Sequence, residues 1–300
     1  MSLETFRRQL LAELRGNLRI LPDKPEENAA NTLAALWLAA AGQPRSAVAA
    51  AGAKLPPLSA GGRERLRILL ARRLAGEPLA HITGRQEFMG IELFSGKEAL
   101  IPRKETEILG QAAVGVLRKL EDEGRQIQVM DVCTGAGNLA IVLALNSPGS
   151  RVYCADLSED AVALARRNGE LHRVTDRMDY RTGDLFAPFD HETFYGSMDL
   201  VTCNPPYIST ARVTEMEAEI STHEPYLAFD GGAFGITILH RFLQEVPRFL
   251  KPDGWLAFEV GLGQGRAICR RMEKKYGFRE ITPQRDAQGE IRCIVARNRG

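Results

Sequence analysis

The chain has 300 residues, 44% of them hydrophobic and 26% charged, with a formal net charge of +1. That is the composition of an ordinary globular protein of one large domain or two. It argues against a disordered chain, against a bilayer-spanning one, since no apolar run is long enough, and against an extended footprint on duplex nucleic acid.

Residues 1–80 read as a small helical bundle. Phe6, Leu10, Leu11, Leu14 and Leu18 recur near helical spacing within residues 2–20. Glu26 to Ala41, rich in Ala and Leu, predicts a second helix that ends near Gly42, and Ser46 to Gly52 a short third. Leu55-Pro56-Pro57-Leu58 interrupts, and Ser59 is placed to cap a helix from Gly62 to Ala75. This part carries a charge of +5 against −4 for the remainder, which suits an acidic partner or simply a solvated helical surface. Gly76-Glu77-Pro78, Gly84 and Gly90 mark a change of character, and Glu87 to Phe94 predicts a hairpin about Gly90. We read 81–100 as a hairpin linker and 101–300 as a second domain.

That domain opens with Ile101-Pro102-Arg103-Lys104-Glu105-Thr106-Glu107 and a helix to Lys119. Strands are predicted at Gln128–Val132, Arg151–Ala155, Asp179–Thr182, Leu200–Cys203, Trp255–Val260, Phe278–Pro283 and Ile291–Ala296. Helices fall between them at Gly137–Leu145, Glu159–Leu171, Gly235–Phe249 and Gly265–Tyr276. Alternation of this length implies an α/β fold with a mainly parallel sheet covered on both faces. The last two strands have no helix between them and predict an antiparallel hairpin. A seven-stranded, Rossmann-like sheet that ends this way is the shape of class I methyltransferases.

The sharpest chemical signal is Asn204-Pro205-Pro206-Tyr207 after the apolar run from Leu200. Two prolines cannot continue a central strand, so Asn204 stands at its carboxyl end, where open α/β sheets bind ligands. The Asn204 carbonyl oxygen and the Pro205 carbonyl can converge on an NH2 group, and Tyr207 offers a flat face. That set suits N-methylation of an amide or exocyclic amine. Upstream, Asp131-Val132-Cys133-Thr134-Gly135-Ala136-Gly137 leaves the first strand of the sheet and opens a helix, the place for a tight ligand-binding turn. Asp156 ends the next strand, placed for ribose hydroxyls or as a helix cap beside Ser158. After the third strand, Asp184 could accept from an adenine amino group while Leu185 and Phe186 pack on the ring. The spacing suits NAD as well as S-adenosylmethionine; Asn-Pro-Pro-Tyr decides for the methyl donor.

From about Arg73 to the end, the chain resembles the release-factor glutamine methyltransferases (the HemK or PrmC family). The resemblance is carried by Gly76-Glu77-Pro78-Leu79, Pro102-Arg103-Lys104-Glu105-Thr106-Glu107, Gly183-Asp184-Leu185-Phe186, Asn204-Pro205-Pro206-Tyr207-Ile208, Glu259-Val260-Gly261 and Arg285-Asp286-Ala287-Gln288-Gly289. It implies an S-adenosylmethionine-dependent enzyme whose acceptor is a glutamine side-chain amide of a peptide chain release factor. It implies that Cys133, Thr134, Gly135, Ala136, Gly137, Asp156, Leu185 and Asn204 contact the donor, and that Asn204, Pro205, Pro206 and Tyr207 hold the glutamine. Asp131, Asp184 and Thr106 are counted with the donor site, Thr106 by closing over its methionine end. The chain departs from the family at Cys133, where the family has a glycine, and at Lys104, where it has a proline. A Cys side chain narrows the turn, which predicts lower donor affinity.

Five cysteines without a C-x-x-C pair, and histidines without ligand spacing, point to a reducing compartment with no disulfide and no metal site. The polar start from Ser2 to Arg8 is not a secretory signal, so a cytoplasmic protein is expected. The rival readings are methylation of another amide or amine (a small metabolite, a peptide product or, disfavoured by charge, DNA adenine) and a non-catalytic binding module.

Overall fold

The computed structural model describes residues 2–121, 126–210, 223–232 and 235–300. The chain divides into two compact units, with the boundary between Lys97 and Glu98; His223 and Glu224 also belong to the first.

In the first unit, short polar side chains start the first four helices. Ser2 caps α1 (Leu3–Asn17), Asn28 caps α2 (Ala29–Ala40), Ser46 caps α3 (Ala47–Ala50) and Ser59 caps α4 (Ala60–Leu74). The second helix begins later than its composition predicts. Asn28 accepts from the N–H groups of Ala30 and Asn31, which separates the helix from a 3-10 turn at Pro25–Glu27. The helices bury Phe6, Leu14, Leu36, Trp37 and Leu66, and the Trp37 indole donates to the Pro56 carbonyl at 2.8 Å. A fifth helix, α5 (Leu79–Thr83), is absent from the sequence reading. It is five residues long, between Pro78 and a left-handed Gly84, too short to show a period. The hairpin of β1 (Arg85–Phe88) and β2 (Ile91–Phe94) lies inside this unit.

The second unit is built on a seven-stranded sheet. Its strands are β3 (Gln128–Val132), β4 (Arg151–Asp156), β5 (Met178–Thr182), β6 (Met198–Cys203), β7 (Leu250–Glu259), β8 (Phe278–Arg285) and β9 (Ile291–Asn298). Their order is β5-β4-β3-β6-β7-β9-β8, parallel except where β9 runs antiparallel between β7 and β8. The sheet therefore ends in the antiparallel hairpin that the missing helix predicts. The helices are α6 (Thr106–Glu121), α7 (Asn138–Asn146), α8 (Glu159–Leu171), α9 (Thr237–Glu245) and α10 (Gly265–Lys275). Alternate residues Met130, Val132, Val201, Cys203, Leu256 and Phe258 join one core cluster with Leu239 and Phe242 of α9 and Met272 of α10. Two boundaries differ from expectation by more than two residues. α9 gives way to a 3-10 turn at Val246–Arg248, because Pro247 has no N–H to continue an α-helix. β7 starts at Leu250 rather than Trp255, through a register shift opposite Met198 and Leu200.

The chain leaves β3 for β4 and β5 on one side, then returns to β6 on the other. The carboxyl ends of β3 and β6 therefore flank the point where strand order reverses, which is where such sheets form a ligand crevice. Among the described residues, no helix is long and apolar enough to cross a membrane.

Candidate active site

A cleft enclosing about 1250 Å³, part of it open to solvent, lies at that point. Its wall takes in Thr106, Asp131, Cys133, Thr134, Gly135, Ala136, Asp156, Asp184, Leu185, Asn204 and Pro206. Eleven residues singled out from sequence thus meet at one place, although they are scattered over a hundred positions. Gly137, Pro205 and Tyr207 stand off the wall.

The turn after β3 is fastened by buried carboxylates. Asp131 accepts from the hydroxyls of Thr134 and Thr202, each at 2.7 Å, and so ties the turn to β6. Complete burial pushes its carboxyl up to about 6, against the pull of those two hydroxyls. Asp156 accepts from Gly135 N–H at 2.8 Å and from Ser158 N–H at 3.0 Å, and burial raises its pKa too. Ser158, not Asp156, caps α8 by accepting from Ala161 N–H, so Asp156 is an anchor of the turn. Gly137 is required: a Cβ there would sit 2.9 Å from the Ala165 Cβ, and its φ is +78°. Cys133 adopts φ 58°, a left-handed backbone that costs a non-glycine residue about 1 kcal/mol. Its side chain lines the cleft.

The segment after β5 divides its labour otherwise than the sequence suggests. Arg241 of α9 pairs with Asp184 at 2.8 Å, and the Asp184 side chain remains 45% exposed. Leu185 faces the cleft, but Phe186 is a core residue, stacked between Phe249 at 4.6 Å and Phe242 at 5.7 Å. Phe186 therefore cannot pack on a ligand ring in the cleft.

The Asn-Pro-Pro-Tyr turn is held from beneath. Asn204 donates through Nδ2 to the Thr106 hydroxyl at 3.2 Å, and among the described residues its Oδ1 accepts no hydrogen bond. The Tyr207 ring does not line the cleft; its hydroxyl is turned to the Glu259 carboxylate at 2.9 Å. Tyr207 is thus a brace in this structure, not the exposed stacking face that its sequence position suggests. Glu259 is 1% exposed. Burial pushes its carboxyl up to about 7, against the nearby Thr106 hydroxyl, the Tyr207 hydrogen bond and the attraction of Arg292. Gln264 braces the other side, donating to the carbonyls of Tyr207 at 3.1 Å and Gly235 at 3.2 Å.

Sequence reasoning assigned no role to Glu259, Gln264 or Arg241. The signal for Glu259 was an ionisable residue closing an apolar strand, since Trp255 to Phe258 precede it. Gly235 carries a direct test of the bracing. A Cβ there would lie 2.3 Å from the Tyr207 carbonyl oxygen, on a backbone with φ +68°. Gly235→Ala is expected to destabilise the protein by about 2–4 kcal/mol and to displace the turn. Thermal unfolding and a crystal structure of the variant read the two effects; wild-type stability would show that the turn is loosely held.

Relatives of known type fit this geometry. Residues 109–231 match the methyltransferase small domain, and residues 15–84 the PrmC N-terminal domain. The release factor glutamine methyltransferase of Moorella thermoacetica is 35% identical over 82% of this chain and 83% of its own. That of Geobacter sulfurreducens is 34% identical over 76% of each. The N-terminal domain of human METTL16 in complex with SAH shares the fold, with a TM-score of 0.51 at 18% identity over 76% of this chain and 82% of that one. The chain belongs to the release factor glutamine methyltransferases, a family of S-adenosylmethionine-dependent enzymes.

Proposed function

We propose that the protein methylates the side-chain amide nitrogen of a glutamine in a peptide chain release factor, and that the helical amino-terminal unit supplies contacts to that partner. The observation that carries the reading is the orientation of Asn204: its nitrogen is committed to Thr106, which leaves Oδ1 as an acceptor at the cleft. The cleft also suits the donor. A Cβ at Gly135 would meet no atom within 4 Å, so a ligand can approach the backbone there. Asp156 and Asp184 offer carboxylates beside the apolar Leu157, Leu185 and Ile238, a set that matches a nucleoside with polar edges and flat faces. Asp131, Cys133, Thr134, Ala136 and Gly137 shape the turn that receives it.

Bound there, S-adenosylmethionine supplies an electrophilic methyl group and leaves as the thioether. The protein's own task is to present the nitrogen. An uncharged amide is a poor nucleophile, so positioning and exclusion of water carry most of the work. Asn204 Oδ1 accepts an N–H group of the glutamine, which turns the nitrogen face towards the methyl. The same acceptor favours the positive charge that develops on nitrogen before it loses a proton. Pro206 and Tyr207 fix the turn that carries it. Five unpaired thiols support a reducing, cytoplasmic setting.

Transfer of tritiated methyl from the donor is expected to label purified, unmethylated release factor, and to do so on glutamine. Label entering a metabolite extract or DNA oligonucleotides instead would replace the acceptor and leave the chemistry. No transfer, together with no binding of S-adenosylhomocysteine by calorimetry, would make the protein a binding module.

A further inference from the structure

We infer that the groove between α9 and α10 is a binding site for a phosphate group, separate from the methyl-transfer cleft.

The groove encloses about 810 Å³, much of it open to solvent. Its walls include His240, Leu243 and Gln244 of α9, with Arg271 and Lys275 of α10 and Tyr276 just beyond it. It shares no residue with the cleft. Helix α9 stands between the two. Ile238 faces the cleft and Arg241 pairs with Asp184 there, while His240 and Gln244, on another face of the helix, line the groove.

Helix α10 has an unbalanced charge. Within eleven residues it carries Arg266, Arg270, Arg271, Lys274 and Lys275 against one carboxylate, Glu273. Among the described residues, none of the five cations makes an ion pair or a side-chain hydrogen bond. The whole chain's net charge of +1 hides this local excess. The helix dipole favours cations in the last turn, which accounts in part for Lys274 and Lys275. Arg271 stands a turn before Lys275 and draws little from that effect, yet it lines the groove. Arg271 and Lys275 are also four residues apart on one face. Like charges so placed weaken a helix, and an anion held between them turns the repulsion into attraction.

His240 completes the donor set. Its Nδ1 lies 2.8 Å from the Tyr276 hydroxyl. Burial, with Arg271 and Lys275 nearby, holds its pKa below the ordinary histidine value, so the imidazole is neutral near pH 7. When Tyr276 donates to Nδ1, the imidazole proton is on Nε2, which has no partner among the described residues and can donate to a ligand. A guanidinium fork, an ammonium and an N–H then serve one ligand. A phosphate dianion has the oxygens and the charge to engage all three; a carboxylate, with two oxygens and one charge, does not. The apolar Leu243 beside them lowers the local dielectric and strengthens the attraction.

Such a group comes as free phosphate or a nucleotide, or in the backbone of single-stranded RNA. Arg266, Arg270 and Lys274 continue the positive surface over the exposed side of α10, outside the groove. A backbone can use them and a free phosphate cannot.

The full chain is titrated at low salt with inorganic phosphate, with acetate and with a labelled oligouridylate of about 12 nucleotides. Phosphate is expected to bind by calorimetry and to move the imidazole NMR signals of His240. The double variant Arg271→Ala, Lys275→Ala is expected to bind it at least about tenfold more weakly. Both side chains are exposed, so that variant should fold and keep its S-adenosylhomocysteine affinity and methyl transfer. Arg266→Ala with Arg270→Ala should leave phosphate binding unchanged. If that pair weakens the oligonucleotide about tenfold, the phosphate comes from a nucleic-acid backbone. An oligonucleotide that binds no tighter than phosphate assigns the groove to the free ion or a nucleotide. No phosphate binding, binding unaltered in the Arg271 and Lys275 variant, or acetate held as tightly as phosphate would each overturn the inference.

Discussion

Asn204→Ala is expected to lower kcat for methyl transfer to the release factor by about 10²–10³-fold at saturating donor, the range seen when one preorganised transition-state hydrogen bond is deleted. The substitution removes Oδ1 of a residue that lines the cleft, an oxygen that among the described residues accepts no hydrogen bond. Little else should change. Asn204 is half-buried, its only recorded side-chain bond is the 3.2 Å contact to Thr106, and the turn remains braced by Gln264 and by the Tyr207–Glu259 bond. The loss should appear in kcat, because an acceptor for N–H groups matters most as positive charge develops on the nitrogen. Steady-state kinetics against release-factor concentration, with the stability of the variant measured in parallel, gives the answer. A variant that is stable, binds S-adenosylhomocysteine and turns over within about threefold of wild type would remove Asn204 from the chemistry.

Most of the sheet was legible because its period and its punctuation agree. β3 and α8 have the bounds expected from their patterns, and Pro205-Pro206 ends β6 where proline must. The antiparallel hairpin that ends the sheet followed from the missing helix before β9. What was not legible was the direction in which side chains leave the backbone. Phe186 and Leu185 are neighbours in sequence, yet Leu185, with φ 47°, faces the cleft while Phe186 enters the aromatic core. Tyr207 reads as a stacking platform from its position after two prolines, and it is instead committed to Glu259, fifty-two residues later. No local pattern encodes such a pairing, because it is made by bringing β7 beside β6. Helix α5 was missed for a different reason: five residues hold little more than one turn, and its end points, Pro78 and Gly84, look like loop punctuation.

The second large effect concerns stability. Asp131 and Glu259 are completely buried, and burial raises their carboxyls from the ordinary 3.8 to about 6 and from 4.5 to about 7. A carboxyl that holds its proton more tightly when folded stabilises the protein most below its unfolded pKa. That contribution is lost as pH rises through the folded value. For Asp131 the window runs from about pH 4 to pH 6, and for Glu259 from about pH 4.5 to pH 7. At 1.36 kcal/mol per pKa unit, each group withdraws about 3 kcal/mol across its window. Urea unfolding followed through Trp255, in a Trp37→Phe background so that the larger unit alone reports, is the measurement. The fall in stability between pH 4.5 and pH 8 should be smaller by about 2 kcal/mol in Asp131→Asn, by about 3 kcal/mol in Glu259→Gln, and by about 5 kcal/mol in the double variant. The two shifts add because the carboxylates sit in different networks, one tying β3 to β6 and the other tying the Asn-Pro-Pro-Tyr turn to β7. A pH dependence identical in wild type and double variant would mean that both carboxyls ionise as they do in water. The site would then be far wetter than its packing shows. A shift in one variant alone would locate the dry region under one network and leave the other open to solvent.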